Sequence, residues 1–180
     1  MSKIFVNELA PKTTGSKIIM PQGGIIQMQF MQQTSISSQS ISANTDTILA
    51  NITVNITPVS TSSIIKIEAQ VFFEPSTTGS EYNNIFSFFR GSTKLGHPET
   101  SSRLCGVSNS VTSYTAGDAG STPSMAYLTF FDSPSSTSQL TYQVGYRTLE
   151  NITFYLNRTV TNGGNAELGI SNICVTEIAG

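Results

Sequence analysis

Residues 48–73 read ILANITVNITPVSTSSIIKIEAQVFF, and this stretch decides the fold. Before its central break, Ile52, Val54 and Ile56 alternate with polar residues, and after the break a second alternating run of apolar residues ends at Phe73. Alternation with a period of two on both sides of a turn-rich break is typical of two half-buried antiparallel strands. A helix would need apolar residues three and four positions apart, which neither half supplies well. We therefore predict that this pair of strands forms the centre of a β-sheet fold.

The rest of the chain repeats this alternation in short segments separated by turns. Residues 25–33 are predicted to form the first strand, with Ile26, Met28 and Phe30 on one face. Further strands are predicted at 85–90, 125–131, 140–147, 152–156 and 168–178. The stretch 34–46 fits either an edge strand or a loop, and no segment has a convincing helical pattern. The sequence therefore predicts an all-β fold, an antiparallel two-sheet β-sandwich of the jelly-roll kind, with a short N-terminal arm.

The arm is predicted at residues 1–24 and the β-sandwich head domain at 25–180. Such a short segment has too few apolar groups to build a core of its own, so it stays unfolded unless it docks on another protein. Its apolar residues are Ile4, Val6, Leu9, Ile18, Ile19 and Met20. We interpret it as an attachment arm.

Composition favours subunit packing over binding to nucleic acid or membranes. Only 11% of the 180 residues are charged, against an average of about a quarter, so Ser, Thr, Asn and Gln dominate the surface. Low charge removes the repulsion that keeps copies apart, which favours a homo-oligomer. A net charge of −2 without a basic cluster argues against nucleic acid. No apolar run approaches the roughly 20 residues that span a bilayer, and no signal peptide is recognised.

Groups that carry out catalysis are scarce. His97 is the only histidine, and a Ser-His-Asp set with Asp118 or Asp132 carries no information in a chain so rich in serine. One histidine and two separated cysteines do not give the spacing of a zinc site. The turn at 117–120 offers calcium one carboxylate, so a plain turn is the better interpretation. We predict no catalytic, cofactor-binding or metal-binding residues, and no enzymatic activity.

Two groups of side chains are assigned structural roles. Cys174 is predicted to be a buried apolar residue, and a disulfide between it and Cys105 is left open. The triplets that begin at Asn51, Asn55, Asn151 and Asn157 match the N-glycosylation pattern but are expected to be unused. Asn51, Thr53 and Asn55 are instead expected to form a polar ladder on one strand face.

Long loops supply the candidates for contact with a ligand. Residues 97–123 are rich in Gly, Ser and Thr, and such a loop is either functional or contains short strands, predicted here at 104–107 and 111–114. Exposed tyrosines beside Asn and Asp can stack on sugars. Tyr82, Tyr114 and Asp118 are therefore candidate ligand contacts. The structural alternative is that tyrosines, Tyr127 among them, cap the core or a seam between subunits.

A set of short motifs occurs in a fixed order along the chain: K-I-x-V-N-x-L and G-S-K-I-x-M-P in the arm, Ile56-Thr57-Pro58 with Ser62-Ser63, Arg90-Gly91-Ser92, Asp132-Ser133-Pro134 and Thr176-Glu177-Ile178. Their order resembles that of small phage fibre proteins, whose heads are trimeric jelly rolls of the C1q/TNF-like kind. The resemblance covers most of the chain. It implies a homotrimer whose arm anchors to another virion protein of the tail, neck or capsid, and whose distal loops contact glycans of the host surface.

The leading hypothesis is therefore a structural virion protein, a trimeric fibre or spike made in the host cytoplasm and placed on the particle surface. A capsid decoration protein that stabilises the shell is the alternative. A glycan-active enzyme would need a catalytic carboxylate such as Asp118, and a cellular C1q-like or lectin module would be expected to carry a signal peptide and disulfides.

Overall fold

A computed structural model describes residues 20–76, 83–100, 103–110 and 120–180. Within these residues the secondary structure is entirely β, which confirms the predicted fold class. The strands are β1 (Ile25–Gln33), β2 (Ser37–Ile41), β3 (Thr47–Ile56), β4 (Ile64–Pro75), β5 (Asn84–Arg90), β6 (Thr93–Leu95), β7 (Ser124–Asp132), β8 (Leu140–Thr148), β9 (Ile152–Leu156) and β10 (Ser171–Ile178). The stretch at 34–46 therefore contains a strand, β2.

The strands form two antiparallel sheets packed face to face. Sheet A has six strands in the order β1-β10-β4-β9-β2, with β7 paired to β4, and sheet B has the order β3-β8-β5-β6. The sets β1-β10-β4-β7 and β3-β8-β5-β6 face each other, which is the arrangement of a jelly roll. The predicted two-sheet sandwich is thus confirmed.

The two strands of the deciding stretch do not pair with each other, which corrects the prediction of a central pair. β4 lies inside sheet A, bonded to β10 and β7, whereas β3 is an edge strand of sheet B. Residues 57–63 cross the gap between the sheets, which is about 10 Å in such sandwiches. Alternation shows that each strand has one buried face. The same pattern results whether two consecutive strands pair as a hairpin or cross from one sheet of a sandwich to the other.

Two local predictions in the long loops and at the last strand are also wrong. Residues 103–110 contain only an isolated bridge, between Ser108 and Phe86, and the strand predicted at 104–107 is absent there. The strand predicted at 111–114 lies outside the described residues. The last strand begins at Ser171 instead of 168. Leu168 forms only an isolated bridge, with Arg158, and Gly169 lies so close to the Phe72 ring that an added Cβ would come within 2.3 Å of Cγ.

An aromatic cluster joins the two sheets. Phe73 and Phe154 from sheet A stack with ring centroids 5.1 Å apart, and Phe86 and Tyr146 from sheet B meet edge to face at 4.9 Å. Phe73 also meets Phe86 at 5.0 Å, edge to face. Aromatic pairs of this geometry contribute about 0.5–1.5 kcal/mol each beyond their burial, so the cluster fixes how the sheets pack.

Replacing Gly145 with alanine is expected to destabilise the protein by about 1–3 kcal/mol, because it overpacks a filled site. A Cβ at Gly145 would lie 2.2 Å from Phe89 Cε2, and Phe89 is itself buried. The measurement is urea-induced unfolding at a fixed protein concentration. Phe89→Ala removes the ring, so Gly145→Ala should cost far less in that background; equal costs in both backgrounds would contradict the contact.

Candidate functional site

The outer face of sheet A exposes large apolar side chains, among them Met28 and Phe30 of β1. Their exposed fractions are 56% and 74%, while Met31 packs against the core. Both faces of β1 carry apolar residues, so alternation alone did not select the buried one. The polar Gln27 points inward because its amide donates to the buried carboxylate of Glu177 over 2.6 Å.

The register of the strands places these residues in rows. Met28 lies in one row with Thr176, Lys66 and Phe131, and the next row runs from Phe30 through Cys174 and Glu68 to Thr129. Tyr127 and Phe131 on β7 are 67% and 57% exposed. The outer face of sheet A therefore has a polar centre bordered by apolar side chains on β1 and β7.

The polar centre is electrically balanced. Lys66 and Glu68 pair with each other at 2.8 Å, and both are partly exposed. Monomeric proteins rarely expose extended apolar surface, and edge strands with free backbone groups favour pairing with other chains unless they are protected. β1 and β7 are both edge strands and both carry exposed phenylalanine. This face therefore has the chemistry of a protein–protein contact.

One end of the sandwich holds the start of the described chain. Gly23 donates its N–H to Ala179 O over 2.7 Å, and Ala179 donates back to Gly24 O over 2.9 Å. Met20, the last of the predicted arm residues, is half-buried here, and the other five lie outside the described residues. The described chain therefore begins beside the end of β10.

A buried carboxylate braces this same end, which is called the arm end below. Glu177 accepts hydrogen bonds from Val59 N and from Ser63 Oγ, both over 2.6 Å, in addition to the one from Gln27. Burial alone would raise the pKa of Glu177, but these hydrogen bonds and one from the backbone of Ser60 outweigh it and lower the pKa. The carboxylate thus stays charged and joins β10, β1 and the crossing between β3 and β4.

The opposite end, called the loop end below, holds the loop anchors. Glu74, near the end of β4, accepts hydrogen bonds from Thr122 N over 3.0 Å and from Val160 N over 2.7 Å. Asn84 donates to Ser110 O over 3.0 Å. These contacts fix the described residues that flank the two long loops. The predicted ligand contacts, Tyr82, Tyr114 and Asp118, lie outside the described residues.

Two asparagines of the glycosylation-like triplets, Asn157 and Asn55, form hydrogen bonds within the head. Asn157 is fully buried, donates to Gln33 O over 2.8 Å and accepts from Ser171 Oγ over 2.7 Å. The predicted ladder of Asn51, Thr53 and Asn55 lies on the exposed face of β3, which is confirmed. Asn55 there accepts a hydrogen bond from the Thr141 hydroxyl over 2.7 Å.

His97 and Cys105 have different hydrogen-bond partners, Pro98 O and the Thr100 hydroxyl. Cys105 and Cys174 are both free thiols, so the disulfide left open by the sequence is not formed. Cys174 is only partly buried because it points to the outer face of sheet A, which corrects its prediction. His97 contacts Pro98 O over 2.8 Å, whereas Asp132 is bound to Arg90. No metal-binding group of three or more His, Cys, Asp or Glu is found among the described residues.

Comparison with known proteins assigns no family. No protein-family model matches the chain, and no curated protein matches it. Within the part of the chain that the structure describes, no helix is long and apolar enough to cross a bilayer. The functional proposal therefore rests on the surfaces and ends of the sandwich.

Proposed function

We propose that this protein is a structural virion protein, a homotrimeric phage fibre or spike that is anchored by its N-terminal residues and binds glycans of the host surface. The observation that carries the proposal is the outer face of sheet A, where Phe30, Met28, Tyr127 and Phe131 are more than half exposed. A second and third copy of the chain would cover these side chains. The number three, and the virion itself, come from the resemblance of the segment order to phage fibres.

The two ends of the head support a protein that is attached at one end and makes contact at the other. Met20 leaves beside the end of β10, which pairs with the start of β4 through Ile178 and Ile64. The anchors of the long loops lie at the other end of β4, around Glu74. A strand of 12 residues is about 36–40 Å long at about 3.3 Å per residue. An attachment arm and ligand-contact loops would thus lie on opposite ends.

The Phe30→Asp/Phe131→Asp variant is expected to change the trimer into a folded monomer. In the trimer the two aspartates of each copy would be buried in an apolar contact without partners. In the monomer the same carboxylates are hydrated. Light scattering after size exclusion measures the mass, and circular dichroism checks that the β-sheet content is retained. Binding to a panel of immobilised polysaccharides should fall by about 10²–10⁴-fold, because a monomer loses avidity.

A matched control places the same two charges elsewhere. Thr53→Asp/Asn55→Asp changes the exposed face of β3 in sheet B and should leave the mass and the binding unchanged. A variant of the sheet A face that keeps the mass and binding of the wild type would contradict the proposal. So would a wild-type protein that binds no polysaccharide and no cell surface.

A further inference from the structure

A cavity opens at the loop end of the head, on the outside of sheet B. Its volume is about 280 Å³, slightly below the range of about 300–1,000 Å³ that is typical of small-molecule sites. Its walls include Ile85, Leu104 and Cys105 as apolar groups and His97, Thr100 and Arg103 as polar ones. An apolar wall beside a few hydrogen-bonding groups suits a sugar ring, which has a C–H face and a rim of hydroxyls.

The backbone around the cavity is held firmly. His97 donates its N–H to Gly106 O over 2.9 Å, and Val107 donates to Phe86 O over 2.7 Å. Gly106 packs so closely on β5 that an added Cβ would lie 2.5 Å from Phe86 O. The part of the wall around Gly106 and Val107 is thus fastened to β5, and such pre-organisation lowers the entropic cost of binding a ligand.

Arg103 is a positive group on this wall, where the described residues give it no acidic partner. The carboxylate of Glu99, four residues away in the sequence, is instead contacted by Lys94 at 2.5 Å and by Arg147 at 3.6 Å. The hydrogen bond from Lys94 lowers the pKa of Glu99, although some desolvation opposes it. Glu99 therefore stays charged and paired with those two cations, and the Arg103 guanidinium is left for another anion.

We propose that this cavity binds the carboxylate-bearing sugar of an acidic surface polysaccharide, a hexuronic acid residue. Arg103 pairs with the carboxylate, while Thr100 and His97 hydrogen-bond the ring hydroxyls. The guanidinium fork matches a carboxylate in two parallel hydrogen bonds. This inference rests on the proposed glycan-binding function and names the class of glycan.

The test compares two forms of one probe, an oligosaccharide of hexuronic acid and the same oligosaccharide with its carboxyl groups reduced to alcohols. Calorimetry on the full chain should detect the acidic form binding at least about tenfold more tightly, the size of one charged hydrogen bond. Arg103→Gln should abolish that difference, and Arg103→Lys should retain part of it because a lysine keeps the charge without the fork. Lys12→Gln removes the same charge from the N-terminal segment and should change nothing.

The outcomes separate this inference from the function on which it rests. Equal binding of the acidic and reduced forms, or an Arg103→Gln protein that keeps the preference, overturns the acidic-sugar site and leaves glycan binding standing. Binding to neutral polysaccharides or whole cells without binding to the acidic oligosaccharide would likewise overturn the acidic-sugar site alone. Failure of the wild type to bind any glycan or cell overturns both. His97→Gln, a second variant of the same wall, should weaken binding of both forms, and its circular dichroism must match the wild type.

Discussion

Replacing Asp132 with alanine should lower the free energy of unfolding by about 3 kcal/mol, because it leaves a charge and a buried hydroxyl without their partner. Asp132 ends β7 in sheet A, whereas Arg90 and Tyr142 belong to sheet B. Arg90 Nη1 donates to both carboxylate oxygens over 2.7 Å, and the Tyr142 hydroxyl donates to Oδ2 over 2.6 Å. The three side chains form a polar link between the sheets.

The surroundings of this link make it sensitive to truncation. Tyr142 is fully buried and Asp132 nearly so, while Arg90 is partly exposed. Burial, and then the hydrogen bond to Asp132, raise the pKa of Tyr142, so the phenol remains a donor at all ordinary pH values. Asp132→Ala removes the acceptor of the buried Tyr142 hydroxyl.

Urea-induced unfolding at one protein concentration measures the loss, since oligomerisation would otherwise change the apparent stability. Glu167→Ala is the control: this exposed carboxylate accepts one hydrogen bond, from Ser121 over 2.8 Å, and its loss should cost less than about 1 kcal/mol. Equal losses for Asp132→Ala and Glu167→Ala would show that the link between the sheets does not contribute to stability.

The second large effect is expected at the arm end, for Glu177→Gln. The glutamine amide replaces one acceptor oxygen by a donor, although Val59, Ser63 and Gln27 all donate to this position. At least one buried donor then faces another donor, which should cost about 3 kcal/mol at neutral pH. Thermal unfolding should show this loss of stability. Gln143→Glu, the reverse exchange on the outside of sheet B, is the control and should not lower the stability.

This effect has a defined dependence on pH. Because the pKa of Glu177 is lower in the folded protein than in the unfolded chain, its ionisation stabilises the fold above the unfolded pKa. That stabilisation is lost as the pH falls through the folded pKa. The difference between wild type and Glu177→Gln should therefore be largest at neutral pH and shrink in acid. A difference that stays constant down to the folded pKa would contradict the ionised state.

The positions of the strands were largely predictable, and their partners were not. The strands at 25–33 and 152–156 have the predicted bounds, because β-branched and aromatic residues alternate there and turn residues follow. Alternation carries no information on which sheet a strand joins, so the separation of β3 from β4 could not be foreseen. Which face of β1 is buried depends on the hydrogen bond from Gln27 to Glu177, a contact between residues 150 positions apart.

The candidate sites were less predictable, because they are assembled from distant segments. Nothing in the sequence around Arg103 marks it as a binding residue. It becomes a candidate ligand contact only because Lys94 and Arg147 form the ion pairs with Glu99. Glu74 and Glu177 are isolated carboxylates in the sequence, and only the fold shows that each collects backbone and side-chain donors. The exposure of Phe30 also follows from how β1 is placed in sheet A, which the sequence does not specify. The scarcity of catalytic groups, by contrast, could be judged from composition.

The most direct test of the central claim is alkylation of Cys174 in the native protein, followed by mass spectrometry. Cys174 lies on the outer face of sheet A between Phe30 and Glu68 and is partly exposed in a single chain, whereas Cys105 is buried. If copies of the chain cover this face, Cys174 should resist the reagent in the wild type and react in the Phe30→Asp/Phe131→Asp variant. Rapid labelling of Cys174 in the native wild type would contradict the account.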